Sequence, residues 1–440
     1  MSHRHADVLI VGGGPAGAAV AVGLARLGHK PLLISASRRQ AAIEGLSDRT
    51  VQALETLGFR KALDTLGPKV VREAHWGGNL SRVNMEFVVD RADIDAALLA
   101  DVEDLDIETL HDRVMRVTRS GALWHVKLSS SQLVTADFLV EARGRSALVS
   151  SRMRLEGPAT VSLARRWTGV AEVPGTSVAA MRDGWSWYAS LGGGRAMLQL
   201  VVAAEPGDLP KRQSLVEFYD SILSDCEIAR GWVEGSRPSG DVVVRRANPV
   251  GAKRPLEDAT IRVGDAAVAP DPLSGHGVYV ALGGAQAAAV TVNTLLRRPG
   301  SAALARSFYE ERCRLDFMRL SRVGRAFYAD EQRWPDSPFW RARSEWPDTK
   351  PPHETMDSHP PRIECRPVVE HGFITEHEVI VTPDHPRGIW VVDGVPLVPL
   401  YRTMMDTGGA QNIRQLAARL GRSRESVGLA RQWLKQRFEF

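Results

Sequence analysis

The 440-residue chain lacks any apolar run approaching the roughly 18 residues of a membrane-crossing helix, which argues against a membrane anchor. It has only three cysteines, Cys226, Cys313 and Cys365, far apart and odd in number. With no CxxC and no Cys/His cluster around them, neither a disulfide framework nor a structural metal site is expected. Nothing before the strand-like Val8–Val11 leaves room for a secretory signal, so the expected location is cytoplasmic. What is present is a globular composition, 44% hydrophobic and 25% charged. The length predicts two or three domains, or one large α/β domain with insertions, and enough core to bury a large cofactor.

The net charge of +4 is unevenly placed. Residues 411–440 carry seven basic side chains (Arg414, Arg419, Arg422, Arg424, Arg431, Lys435, Arg437) against Glu425 and Glu439. A basic tail of this kind fits an acidic partner. Its apolar residues Ile413, Leu416, Ala417 and Leu420 have helical spacing, and a Gly421-Arg422-Ser423 turn leads into a second helix. The pattern is that of a helix-turn-helix or winged helix. DNA binding is the alternative, but Leu416, Leu420, Val427 and Leu434 need burial, and an excess of five charges is small for a nucleic-acid domain.

The first 35 residues read strand, glycine turn, helix, strand. A helix is predicted over Asp48–Leu57 with Gly58 as its stop, strand-like sequence over 73–89, and a helix over Ile94–Leu99. Short strands with glycine turns run from Thr160 to Val202, which predicts an antiparallel sheet inserted into an α/β domain. A helix over Ser214–Leu223, a strand over Thr260–Val263 and a long helix over Val278–Leu296 follow. Seven prolines between Trp334 and Pro361 predict an irregular linker. The expected domains are therefore 1–72, 90–155 and 241–333 for cofactor binding, 73–89 and 156–240 for substrate, 334–361 as linker and 362–440 for partner docking.

Gly12-Gly13-Gly14-Pro15-Ala16-Gly17 fits G-x-G-x-x-G and sits between an apolar strand and an Ala-rich helix. Glycines at Gly12, Gly14 and Gly17, with Pro15 and Ala16, let the backbone approach a pyrophosphate held at the helix N-terminus. The acid that usually ends the second strand and binds the ribose is replaced by Ser35. Arg39, with Arg38, is placed to meet phosphate, or else to be a solvated loop charge.

Three later motifs follow in order: Val89-Asp90-Arg91-Ala92-Asp93-Ile94-Asp95, Phe138 to Ser146, and Ile261 to Ala267, which is followed by Asp271-Pro272-Leu273-Ser274-Gly275-His276-Gly277. Together with the glycine turn they resemble the para-hydroxybenzoate hydroxylase-like flavoproteins over roughly residues 6–330. The resemblance implies an α/β fold: a Rossmann-like FAD-binding domain, an inserted antiparallel β-sheet substrate domain and a small C-terminal helix-turn-helix or winged-helix-like domain. It implies that Arg91 lies against the flavin or its pyrophosphate and that Asp265 accepts hydrogen bonds from the ribityl chain, unless it is a plain helix cap. Pro272, Gly275, Gly277 and Val278 would border the isoalloxazine. The segment Glu141-Ala142-Arg143-Gly144-Arg145 departs from the related pattern and reads as architectural.

No second glycine motif follows a strand, so NADH or NADPH is expected only as a transient reductant. The implied chemistry is attack of a C4a-hydroperoxyflavin, formed with O2, on an electron-rich ring. Trp185 and Trp187, on one face of a strand, are candidates for lining the substrate cavity, or for plain core. His276 is a candidate acid or base, or only a cap.

The Asp271–Gly277 loop, the Asp-Gly-Trp-Ser-Trp-Tyr strand and the basic tail, in one chain of this length, are most similar to flavoproteins that help build protein-derived quinone cofactors, such as those maturing quinohemoprotein amine dehydrogenase. That implies a small protein or peptide partner carrying a target tryptophan, hydroxylated on the way to a tryptophylquinone. The alternatives are a halogenase-like or prenyl-reductase-like flavoprotein acting on a small molecule, and a DNA-binding flavoprotein regulator. The halogenases share a Trp-x-Trp stretch but continue with Ile-Pro, where this chain has Tyr188-Ala189, and their catalytic lysine has no assignable counterpart.

Overall fold

Val8, Leu9, Ile10 and Val11 are each at most 1% exposed, on a strand, His3–Val11, that pairs in parallel with Leu32–Ser35 on one edge and Leu133–Glu141 on the other. A strand buried on both faces reads as a continuous apolar run. The computed structural model describes residues 3–37, 42–147, 153–169, 172–211, 213–353, 359–406 and 412–438. They divide into two compact units, residues 1–292 with 309–350, and residues 293–308 with 351–440.

In the first unit, an eight-stranded sheet has the path Leu256–Glu257, Thr260–Arg262, Leu133–Glu141, His3–Val11, Leu32–Ser35, Thr109–His111, with the hairpin Val114–Ser120/Leu123–Leu128 added beside Leu133–Glu141. The helix Pro15–Arg26 returns from the first strand to the second. Proline at its start costs no hydrogen bond there, and the buried face is Ala18, Ala19, Val20, Val22 and Leu24.

The second eight-stranded sheet runs Arg237–Arg246, Val161–Thr168, Arg195–Val202, Gly184–Gly192, Pro174–Met181, Lys69–Trp76, Asn79–Asp90, Ile43–Ser47. It differs from the expected insertion in three ways. The stretch 73–89 is a hairpin of two strands, turned at Gly77 and Gly78, whose positive φ angles favour glycine. Pro174–Met181 pairs with Lys69–Trp76 in parallel, so the sheet is not wholly antiparallel. Ile43–Ser47, inside the range expected for cofactor binding, forms its edge.

Period-two alternation gives this sheet two cores. On one face Tyr188, Leu198 and Leu200 pack with Tyr219 and Leu223 of the helix Gln213–Ser224. On the other, Val178, Ala180, Trp185 and Val201 pack with Tyr328, Phe339 and Trp340. The last two overturn the linker expectation for 334–361: Pro338–Ser344 is a helix with Phe339, Trp340 and Arg343 buried. Pro338 stands in its first turn, where the missing N–H has no intrahelical partner to lose.

Gly277–Arg297 is long and apolar enough to pass as a membrane span on length and composition alone, yet Leu282, Ala285, Ala288 and Val292 are fully buried core residues. The helix Ala302–Ala329 had no clear sequence signal.

In the second unit a three-stranded antiparallel sheet, Arg362–Glu370, Phe373–Thr382 and His385–Ile389, is accompanied by the helices Leu397–Asp406, Ile413–Leu420 and Arg424–Lys435. Leu416, Val427 and Leu434 are buried with Val395, Leu397 and Leu400. Gly421 ends one helix in the left-handed region, and Ser423 caps the next by accepting from the Ser426 N–H. Thr294 accepts from the Ile374 N–H at 2.9 Å, and Asn293 donates to the Gly372 carbonyl at 2.7 Å.

Candidate functional site

The glycine turn is closed by its neighbours everywhere except at one position. Gly12 has φ +112°, and a β-carbon on it would lie 2.5 Å from the Ala142 carbonyl oxygen. One on Gly13 would lie 2.2 Å from the Ser35 hydroxyl, and one on Gly17 1.7 Å from the Gly12 carbonyl oxygen. Gly14 alone has nothing within 4 Å. Immediately after it the helix Pro15–Arg26 begins, with neither a side-chain cap nor an acid in its first turn. The first amides of a helix have no intrahelical acceptor, so the open space at Gly14 suits a pyrophosphate. Ser35, 3% exposed, ends the second strand against this turn, where a ribose-binding acid would otherwise stand. Arg38 and Arg39 lie outside the described residues.

The third and fourth motifs pack onto the first. A β-carbon on Gly264, φ +57°, would come 2.7 Å from the Ala16 β-carbon. The adjoining Asp265 carboxylate is 3.5 Å from the Arg145 guanidinium. Its surroundings push its carboxyl up by desolvation, against the pull of Arg145. Its side chain nevertheless keeps 39% exposure, so the carboxylate is deep but reachable. Gly144, Arg145, Arg154, Arg246 and Asp265 line an open cleft of about 430 Å³. Arg91 is not left free to reach outward: it pairs with Glu44 and Asp95, each at 2.7 Å. Desolvation works against its charge, but these two carboxylates hold the guanidinium above its ordinary range.

The loop from Asp271 carries Pro272, Gly275 and His276 to the start of the helix Gly277–Arg297, whose first turn, including Val278, holds no acid. Gly275 has φ +64°, and a β-carbon there would sit 3.5 Å from the Arg72 guanidinium. Arg72 forms a two-point pair with Glu86, its Nε at 3.0 Å from Oε1, with side chains 16% and 5% exposed. The His276 Nδ1 is buried without a partner. Burial pushes its imidazole below the ordinary value, and Arg319, Arg49 and Arg72 add to this against the Ser274 backbone.

Trp185 and Trp187 share the sheet face that also carries Ala74 and Val178. Trp185, only 3% exposed, donates its indole N–H to Tyr328 at 3.1 Å, so it is a sealed core residue. Trp187 is half-buried beside it and also reaches Ala189 and Met197 of the neighbouring core.

Sequence reasoning passed over Glu44, Arg72, Glu86, Tyr328 and Arg343, which have no motif around them. Arg145 did carry a signal, the repeated arginines of Arg143-Gly144-Arg145. It donates to the Asn248 carbonyl at 2.5 Å and to the Pro270 carbonyl at 3.4 Å, tying the third motif to the loop.

A family model for tryptophan halogenase matches residues 52–370. The chain is 36% identical to a solved structure described as the peptidyl tryptophan dihydroxylase QhpG, essential for tryptophylquinone cofactor biogenesis. That match covers 99% of this chain and all of the other, with a TM-score of 0.85. The flavin-dependent halogenase CmlS superposes with a TM-score of 0.75 at 19% identity, over 99% of this chain and 94% of that one, a likeness of fold. Tryptophan 2-halogenase of Chondromyces crocatus is 26% identical over 76% of this chain and 70% of its own length.

Proposed function

Because the chain belongs to the tryptophan halogenase family, whose fold it shares with flavin-dependent enzymes, we propose that it is an FAD-dependent monooxygenase acting on a tryptophan side chain of a small partner protein, as a step in making a tryptophylquinone cofactor. The observation that carries the reading is the full-length 36% identity to a peptidyl tryptophan dihydroxylase.

The residues present fit the cofactor. The open position at Gly14 and the uncapped helix after it suit the pyrophosphate, with Gly12, Pro15, Ala16 and Gly17 shaping the turn. Ser35 would meet the ribose and Asp265 the ribityl chain. The acid-free start of Gly277–Arg297 would face the negative edge of the flavin with Gly275, Gly277 and Val278 beside it. Arg91 would act through Glu44 and Asp95 as part of the floor rather than as a free cation. FAD, when bound, supplies the activation of O2 that hydroxylation requires, with NADH or NADPH as electron source. The remaining tasks belong to the chain: to exclude water, to place the indole, and to move protons at the half-buried His276. The second unit, with exposed Arg414, Arg419, Arg422, Arg424 and Lys435, is the surface for the partner.

The test is incubation of the FAD-loaded protein with NAD(P)H, O2, chloride and either free tryptophan or a partner peptide. A mass gain of one or two oxygens on the peptide alone is the expected result. The family match favours a second reading, halogenation of a small molecule; chlorination in the same reaction would establish that reading instead.

A further inference from the structure

Asp271, the first residue of the flavin-facing loop, is 4% exposed, and its carboxylate is held by two hydrogen-bond donors. Its Oδ1 accepts from the Leu273 N–H at 2.9 Å, and both of its oxygens lie 3.2 Å from the Tyr328 hydroxyl. That hydroxyl already accepts from Trp185 at 3.1 Å. A phenol has one proton and a carboxylate has none, so the polarity is fixed: Trp185 donates to Tyr328, and Tyr328 donates to Asp271.

Arg343 completes the arrangement from the proline-rich segment. Only 3% exposed, it lies 3.8 Å over the Phe339 ring and 6.0 Å over Tyr328, and donates to the carbonyls of Phe339 and Ala159 and to Thr160. Its Nε and the Ser321 hydroxyl, both buried without a partner, border a hollow of about 250 Å³ that Asp271 and Tyr328 also line. A buried cation and a buried carboxylate thus border one hollow, and each lessens the cost of the other.

We propose that Tyr328 is a positioning residue that acts through Asp271, fixing the loop Asp271–Gly277 in the shape that receives the flavin, with Arg343 as countercharge. This rests on the flavin reading above and deepens it: the helix Pro338–Ser344 becomes part of the cofactor site.

The charged and titratable groups around Asp271 are Tyr328 and Arg325 from the helix Ala302–Ala329, Arg343 from Pro338–Ser344 and Arg145 from the turn after Leu133–Glu141. Burial pushes the Asp271 carboxyl up, while the Leu273 N–H, Arg343, the Tyr328 hydroxyl and Arg145 pull it down. Tyr328→Phe removes one of these restraints and keeps the ring that packs 5.9 Å from Phe339 and Trp340. Asp271 then takes up its proton at higher pH than in the wild type, and a loop that needs its carboxylate form loosens as pH falls.

The experiment is FAD titration of the apoprotein across about pH 6 to 8, with thermal unfolding in parallel, for wild type, Tyr328→Phe, Trp185→Phe and the double variant Tyr328→Phe/Asp271→Asn. Relative to wild type at the same pH, Tyr328→Phe should bind FAD about tenfold more weakly at the acid end than at the alkaline end. Trp185→Phe, which leaves the Tyr328–Asp271 bond, should keep the wild-type profile. The double variant, without a titrating carboxyl at 271, should return to the wild-type profile. Wild-type affinity and profile in Tyr328→Phe overturn the inference, as does a loss of affinity equal at every pH, or the Tyr328→Phe dependence persisting in the double variant. A wild-type protein that binds no FAD overturns the flavin reading and this inference with it.

Discussion

A β-carbon on Gly13 would lie 2.2 Å from the Ser35 hydroxyl oxygen and 2.5 Å from the Ser35 β-carbon. The serine that replaces the expected acid therefore also closes the floor of the glycine turn. Gly13→Ala must displace that strand end and should cost about 1–3 kcal/mol. At Gly14, where nothing lies within 4 Å, alanine should cost under about 1 kcal/mol of fold stability yet weaken FAD binding at least about tenfold, because it fills the space left for phosphate. Urea unfolding and FAD titration of the two variants separate the effects.

Glu86 neutralises Arg72 behind Gly275. Glu86→Ala strands a guanidinium only 16% exposed and should destabilise by about 3–5 kcal/mol. A β-carbon on Gly45 would lie 2.1 Å from a Glu86 carboxylate oxygen, so Gly45→Ala should be harmful in the wild type and much less so beside Glu86→Ala. A double-mutant cycle with additive costs would contradict this.

His276 has its imidazole held below the ordinary value of 6.5 by burial first, with Arg319, Arg49 and Arg72 adding to it. The unfolded chain binds a proton there more readily than the folded one. Stability from this residue is therefore present above pH 6.5 and is lost as pH falls from there through the lower value of the folded state. His276→Gln should flatten this acid-side loss in a series of thermal melts. If the ring moves a proton during turnover, the same variant lowers kcat by about a hundredfold while FAD stays bound.

Arg419, Arg422 and Arg424 are exposed on the helix-turn-helix of the second unit. Replacing all three by glutamate should raise KM for a protein substrate by about tenfold or more, leaving FAD content unchanged, with the wild-type KM itself rising with salt. A variant with wild-type KM would remove this surface from partner docking. Salt-dependent affinity for random duplex DNA would assign it to nucleic acid.

The glycine turn, the helix Asp48–Leu57 and the long helix after Gly277 were legible because local rules fix them: a phosphate turn, a capped amphipathic helix, an apolar run. Arg72 and Glu86 were not, since their pairing depends on the register of the two adjacent strands that carry them, and Tyr328 was not, since it meets Asp271 from a helix remote in the chain. Pro338–Ser344 was misread because proline was counted without regard to position, and at a first turn it is neutral or favourable. The pairing of Trp185 with Trp187 on one face was readable from period-two spacing. Their unequal burial depends on Tyr328 and Trp340, which spacing cannot see.

Because Phe339 and Trp340 complete one face of the second sheet, a cut placed where the prolines begin would tear out part of a core instead of freeing a tail. A truncated enzyme should end no earlier than Lys350, the last residue of its compact unit. The converse piece, 351–440 expressed alone, would leave behind Asn293 and Thr294, whose side chains bond to the Gly372–Ile374 turn. A usable boundary for the second unit therefore has to include residues 293–308 as well as 351–440.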